Sequence, residues 1–255
     1  LNDQSYDGQV TLAIPELKIK EKLKVIQGQA AIKLKVQPQL WSPTRPKLYT
    51  INLSLSNGSK VADRIGFRTV EVKGTEILLN GKPIFLSGIS MLEEYPGVGR
   101  AHSRAHAEYM LGAAKEMKAN FVRLAHYPHN EHMLRVADSL GILIWSEIPV
   151  YWGINWGEPH VLAKAKKTLT DMIIRDQNRA AIILWSMANE TQPVPDRNIF
   201  LSSLIAETRR LDPTRLITAA TETHVDENNP AVFWLEDPIN QKLDVMANNI
   251  YCGWY

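Results

Sequence analysis

Three observations predict two folds in tandem. Residues alternate with period two over the first quarter of the chain. Apolar strands then alternate with helical stretches, and polar and aromatic residues gather just after those strands. The first fold, over residues 1–73, is an all-β immunoglobulin-like sandwich, present in part. The second, over 74–255, is an α/β TIM (β/α)8 barrel that stops after its sixth strand. A chain of 255 residues, 45% of them hydrophobic, is long and apolar enough to bury a substantial core.

The sandwich is read from alternation. In Leu17-Lys18-Ile19-Lys20-Glu21-Lys22-Leu23-Lys24-Val25 a lysine stands at every second position, as in a strand with one wet and one buried face. Ile32, Leu34 and Val36 repeat the pattern, as do Tyr49, Ile51, Leu53 and Leu55. Asn57-Gly58 marks a tight hairpin turn into a strand around Arg64 to Val72. Several short strands separated by turns make a sandwich.

After Gly74 the period changes. Ile77 to Leu86, with Asn80-Gly81 inside it, predicts a hairpin running into a buried strand. Strands follow at Phe85–Ser90, Phe121–Ala125, Ile142–Ser146, Ala181–Met187, Leu216–Ala220 and Val245–Ile250, with helices at Ala107–Met117, Asn130–Leu140, Val161–Gln177 and Ile199–Leu211. Continuous apolar strands separated by helices imply a parallel sheet covered on both faces. A complete eight-stranded barrel takes about 250 residues, so six strands in this length predict an open one. Its exposed edges would need covering, by a homo-oligomer among other partners.

Composition narrows the function classes. One cysteine, Cys252, excludes an internal disulfide and a cysteine-based zinc site. No apolar run approaches about 18 residues, so no membrane span is expected. The opening residues show no signal peptide, and the compartment stays open. Lys+Arg outnumber Asp+Glu by 12 to 6 over residues 1–73, but those lysines alternate along strands without interleaved aromatics. They read as a solvated face, not a nucleic-acid surface.

In a (β/α) barrel the chemistry sits at the C-terminal strand ends. These carry Glu93 and Glu94, then Arg123 with His126, then Glu147, then Asn189-Glu190, and finally Asn249 to Tyr255 with Tyr251 and Trp254. Carboxylates and amides beside aromatics suit a carbohydrate. Glu190, directly after a buried strand, is the sharpest candidate. Desolvation there would raise its pKa toward that of a general acid, although it could instead cap the next helix or pair with Arg197. Arg123 could brace the barrel, and His126 could be a satisfied polar residue. Tyr251 and Trp254 could be rim aromatics. Glu147 is read as bonded to Arg123 in preference to touching substrate.

Trp185-Ser186-Met187-Ala188-Asn189-Glu190 resembles the acid/base signature of glycoside hydrolase family 2, the β-galactosidase, β-glucuronidase and β-mannosidase family. Three segments agree in order: Gly66-Phe67-Arg68 through Leu86, Phe121 through Pro128, and Asn249-Ile250-Tyr251-Cys252-Gly253-Trp254-Tyr255. The resemblance spans about residues 40–255. It implies a retaining exo-β-glycosidase with two carboxylates about 5 Å apart and no cofactor. Glu190 matches the acid/base, Asn189 the residue that holds the sugar 2-hydroxyl, and Tyr251 a tyrosine bonded to the nucleophile. Arg123, His126, Trp254 and Glu93 match the sugar-facing rim.

Departures from the pattern carry expectations of their own. The family nucleophile ends a seventh strand, so this chain is expected to be inactive alone. Glu222, Glu236 and Asp237 do not match it. Gly88-Ile89-Ser90-Met91-Leu92-Glu93 keeps the Glu of the first-strand motif but has Leu92 in place of its His. Pro149-Val150-Tyr151-Trp152-Gly153 lacks the Glu and His of the metal-dependent galactosidases, so no catalytic magnesium is expected. The family's N-terminal sugar-binding sandwich is not seen. The Tyr251–Tyr255 segment tilts the reading toward glucuronides, with galactosides open. A non-hydrolytic carbohydrate-binding module on an incomplete barrel is the alternative, distinguished by sugar binding that survives Glu190→Ala without turnover.

Overall fold

A computed structural model describes residues 6–226, 228–229 and 231–251. The chain begins with an antiparallel sheet of β1 (Gly8–Ile14), β2 (Ile19–Val25), β3 (Tyr49–Leu55) and β4 (Lys60–Ile65), in the order β2-β1-β3-β4. In β2 the alternation behaves as expected, with Lys20, Lys22 and Lys24 facing solvent. The β3–β4 hairpin turns at Asn57-Gly58, where Gly58 has φ +90°.

The alternating Ile32-Leu34-Val36 segment forms no strand, which corrects the sequence expectation. A turn at Gln27-Gly28, both at positive φ, carries the chain away after β2, the edge strand of the sheet. Without a partner ladder the alternation has nothing to pair with, and Ile32 remains 39% exposed.

The strand expected from Arg64 to Val72 is two. β4 ends at Ile65, and β5 (Val70–Lys73) joins β6 (Glu76–Leu79) and β7 (Lys82–Pro83) in a separate three-stranded sheet. The break is a packing requirement. A Cβ on Gly66 would lie 2.8 Å from the Ala180 Cβ and 3.0 Å from the Trp41 ring. Close approach there lets Arg68 reach under the barrel, where it donates to the carbonyls of Ala180 (3.1 Å) and Ile182 (2.5 Å). Burial and the neighbouring Arg215 push the Arg68 pKa down to about 9.

Six parallel strands of a TIM barrel follow. They are β8 (Gly88–Met91), β9 (Phe121–Leu124), β10 (Leu143–Glu147), β11 (Ile182–Asn189), β12 (Leu216–Thr221) and β15 (Val245–Asn248), each beside the next. A short hairpin of β13 (His224–Val225) and β14 (Phe233–Trp234) lies between the last two. The first barrel strand starts three residues later than expected, and Phe85 stands 82% exposed outside it.

Helices α1 (Arg104–Glu116), α2 (Glu131–Leu140), α3 (Pro159–Asp176) and α4 (Pro195–Leu211) connect the strands. Phe200, Leu201, Leu204, Ile205 and Thr208 of α4 are buried, the three-and-four spacing of one helix face. Every residue of β10, β11 and β12 is buried. That double-sided burial explains their largely apolar sequences. No described helix is long and apolar enough to cross a membrane.

Candidate active site

Residues at the C-terminal ends of β9, β10, β11 and β15 converge on one guanidinium. Arg123, the third residue of β9, donates from Nε and Nη2 to the two oxygens of Glu147, both at 3.2 Å. It also donates to Asn189 Oδ1 at 2.6 Å and to Asn249 Oδ1 at 3.0 Å. Its guanidinium lies 4.7 Å from the centre of the Trp145 ring. Glu147, at the end of β10, further accepts from Trp145 Nε1 at 2.8 Å and lies 2.6 Å from His126 Nδ1. The Arg123–Glu147 network expected from sequence is present, and His126 belongs to it.

The side chains of Asn189 and Glu190, at the end of β11, both meet Asn249 Nδ2. The Asn189 carbonyl oxygen accepts from both Arg123 and Asn249 Nδ2 (2.9 Å). Glu190 has φ +49°, a left-handed conformation uncommon outside glycine. Its Oε1 accepts from Asn249 Nδ2 at 2.8 Å and from the Tyr251 hydroxyl. Its Oε2 faces Trp152 Nε1 at 3.3 Å. Glu190 neither caps α4, which begins at Pro195, nor pairs with Arg197. Arg197 instead makes a two-pronged ion pair with Asp237, at 2.7 Å on both arms.

The electrostatics of Glu190 differ from the expectation. Burial raises its pKa, but the hydrogen bonds from Tyr251, Asn249 and Trp152 and the charge of His126 outweigh burial. The carboxyl sits below its ordinary value, so at neutral pH it is ionised in this arrangement. Tyr251 bonds the acid/base candidate itself, where the resemblance would set it against the nucleophile.

Glu93 takes a different place. It is buried after β8, its Oε1 accepts from the backbone N–H of Asn130 at 2.5 Å, and its own N–H meets the Tyr127 hydroxyl at 3.1 Å. It tethers the start of α2, and burial raises its pKa. No hydrogen bond links it to the Arg123 network among the described residues. Trp254 lies outside the described residues.

Two site residues were not singled out from sequence. Asn249 stood inside a quoted motif, and its double role needs β15 beside β12 in space. Trp152 belongs to a loop whose path is set by main-chain bonds. Asn189 N–H donates to Val150 O at 2.9 Å, and Trp152 N–H to Asn189 O at 3.2 Å. Among the described residues, no group of three or more His, Cys, Asp or Glu side chains is placed to hold a metal ion.

The family model described as "Glycosyl hydrolases family 2, TIM barrel domain" matches residues 70–255, and that described as "Glycosyl hydrolases family 2" matches residues 1–68. A putative beta-glucuronidase of Formosa agariphila is 35% identical over 86% of this chain and 26% of its own length. A beta-galactosidase of Thermoanaerobacterium thermosulfurigenes is 35% identical over 69% of this chain and 25% of its own. The apo structure of beta-glucuronidase 3 from Bacteroides uniformis superposes with a TM-score of 0.79 at 31% identity, covering 97% of this chain and 31% of that one. The chain therefore spans about a quarter to a third of these relatives.

Proposed function

This chain belongs to glycosyl hydrolase family 2, and from that premise we propose that it carries the acid/base side of a retaining exo-β-glycosidase site for β-glucuronides or β-galactosides. In this reading residues 1–73 are the supporting sandwich and 74–255 the catalytic barrel. The observation that carries it is the Glu190 carboxylate, fixed at the end of β11 by Asn249, Tyr251 and Trp152.

The chemistry then assigns the roles. A nucleophilic carboxylate attacks the anomeric carbon as the glycosidic C–O bond breaks, and Glu190 gives its proton to the departing oxygen. Glu190 then takes a proton from the water that releases the sugar. An ionised Glu190 suits the second step. For the first it must be protonated, and a second carboxylate about 5 Å away would favour that by like-charge repulsion. The resemblance sets that carboxylate on a seventh strand.

Asn189, held at its carbonyl oxygen by two donors, keeps its NH2 for the sugar 2-hydroxyl. His126, half-exposed above Glu147, offers a further contact. Arg123 and Glu147 bond each other, and otherwise Arg123 holds Asn189 and Asn249 while Glu147 holds His126 and Trp145, so they position the others.

The test uses the polypeptide that carries these residues, at its full length, with nitrophenyl β-glucuronide and β-galactoside. Glu190→Gln should lower kcat/KM by a factor of roughly 10²–10⁴, as for a lost general acid. A dinitrophenyl glycoside, whose leaving group departs without a proton, should lose far less. Turnover of all these substrates untouched by Glu190→Gln would refute the assignment.

A further inference from the structure

Glu190 has two faces, and the roles above use only one. Oε1 points to Asn249 and Tyr251, toward the cluster holding Asn189. Oε2 points the other way, to Trp152. On that side lies a cleft of about 480 Å³ lined by Trp152, Ile154, Trp156, Gln192 and Glu222 beside Glu190. A second cleft, of about 300 Å³, shares Glu222 and continues past His224 to Glu236. The first alone falls within the size range of small-molecule sites.

Its walls differ in kind. One is aromatic. Trp152 is 66% exposed, while Trp156 is braced edge-to-face against Phe200 at 5.1 Å. The loop bearing both is stitched to the end of β11 by the Val150–Asn189–Trp152 main-chain bonds, so the platform is fixed relative to the acid. The same cleft is lined by Glu222, whose carboxylate has no hydrogen-bond or ion-pair partner among the described residues. A flat apolar face together with free acceptors matches a sugar ring, with a C–H face for the indole and hydroxyls for the carboxylate. An anionic group would meet Glu222 and Glu236 as like charges.

We propose that this cleft is the leaving-group subsite and that it selects an uncharged sugar as the leaving group, with Trp156 and Glu222 as the specificity-determining residues. The assignment rests on Glu190 being the acid/base, because the group that departs must lie against the residue that protonates it.

The experiment measures kcat/KM on the full-length polypeptide for three leaving groups on one glycone: a neutral hexose, a hexuronate and dinitrophenol. Wild type should prefer the neutral hexose to the hexuronate by at least about tenfold. Glu222→Gln should shrink that preference, read as the ratio of the two values, by roughly fivefold or more. Trp156→Phe, which keeps an aromatic against Phe200, should weaken the neutral hexose substrate more than the dinitrophenyl one. Equal use of hexose and hexuronate, unmoved by Glu222→Gln, would overturn the subsite while dinitrophenyl turnover upholds the acid/base reading. Failure to cleave all three glycosides would instead overturn the acid/base reading, and the subsite with it.

Discussion

Glu147→Gln tests the Arg123 hub directly. Glu147 is 1% exposed and accepts four hydrogen bonds: two from Arg123, one from His126 and one from Trp145. Gln keeps one oxygen and turns the other into an NH2. If the amide nitrogen takes the Oε2 position, it faces two donors, Arg123 Nε and Trp145 Nε1. The reverse orientation faces Arg123 Nη2 and His126. Either way two charge-assisted bonds are lost, each worth about 1.5–3 kcal/mol, and Arg123 loses its counter-charge. Removing one partner of a buried ion pair costs about 3–5 kcal/mol. Arg123 retains Asn189, Asn249 and some access to water, so the expected loss is near the lower end, about 3 kcal/mol. Urea unfolding of the full-length protein gives the measurement. The comparison variant is Glu108→Gln, which breaks an exposed Arg104 pair one helical turn apart and should cost no more than about 0.5 kcal/mol. If the two variants shift the midpoint equally at unchanged slope, the hub does not carry the load assigned to it.

Acid should destabilise the protein chiefly through Asp212. At higher pH two buried groups oppose each other. Burial pushes the His129 imidazole down to about 4 from an ordinary 6.5, so stability falls as pH drops between those values. Burial pushes the Asp138 carboxyl up to about 6 from 3.8, so its contribution rises as pH drops. The Asp212 carboxyl is penalised by burial but held down to about 2 by Arg215, Thr214 and Trp185. Its contribution is present above pH 3.8 and lost as pH falls toward 2. Chemical denaturation across pH should show stability falling below pH 3.8, and Asp212→Asn should flatten that fall; the same slope in both proteins would contradict this. Gly88→Ala would place a Cβ 1.9 Å from the Phe121 carbonyl oxygen, and forcing β8 from β9 should cost about 3 kcal/mol; an unchanged melting temperature would contradict that. Tyr251→Phe removes a donor from Glu190, so the basic limb of kcat/KM against pH should move upward, and a fixed limb would show that the hydroxyl does not govern this carboxyl.

The barrel was legible in the sequence because its strands are buried on both faces, leaving apolar runs such as Ile182–Trp185 that few other environments produce. The antiparallel part was legible only where alternation coincided with a pairing partner. The lysine run predicts β2, whereas Ile32-Leu34-Val36 carries the same pattern and stays unpaired. Candidate site positions followed from the strand-end rule, which requires no knowledge of contacts. The ionisation of Glu190 was another matter. Burial, which local sequence suggests, argued for a raised pKa. The donors that reverse it, Asn249 and Tyr251, lie 59 and 61 positions away. Trp152 was hidden for the same reason, since its place depends on main-chain bonds to a strand far along the chain.

The strand that ends at Glu190 is pinned at both ends by unrelated parts of the molecule. At its start, the carbonyl of Ile182 receives Arg68 from the segment after β4 and Arg215 from the residue preceding β12. At its far end, Asn189 is tied to Val150, Arg123 and Asn249. Like a string stretched between two pegs about 25 Å apart, it has little slack along its length. Glu190 therefore takes its height above the barrel floor from contacts at both ends of that strand, added to its ladders with β10 and β12. A substitution at Arg68, outside the barrel, would retune the candidate acid from beneath, changing its reach toward a bound sugar with every rim residue still in place.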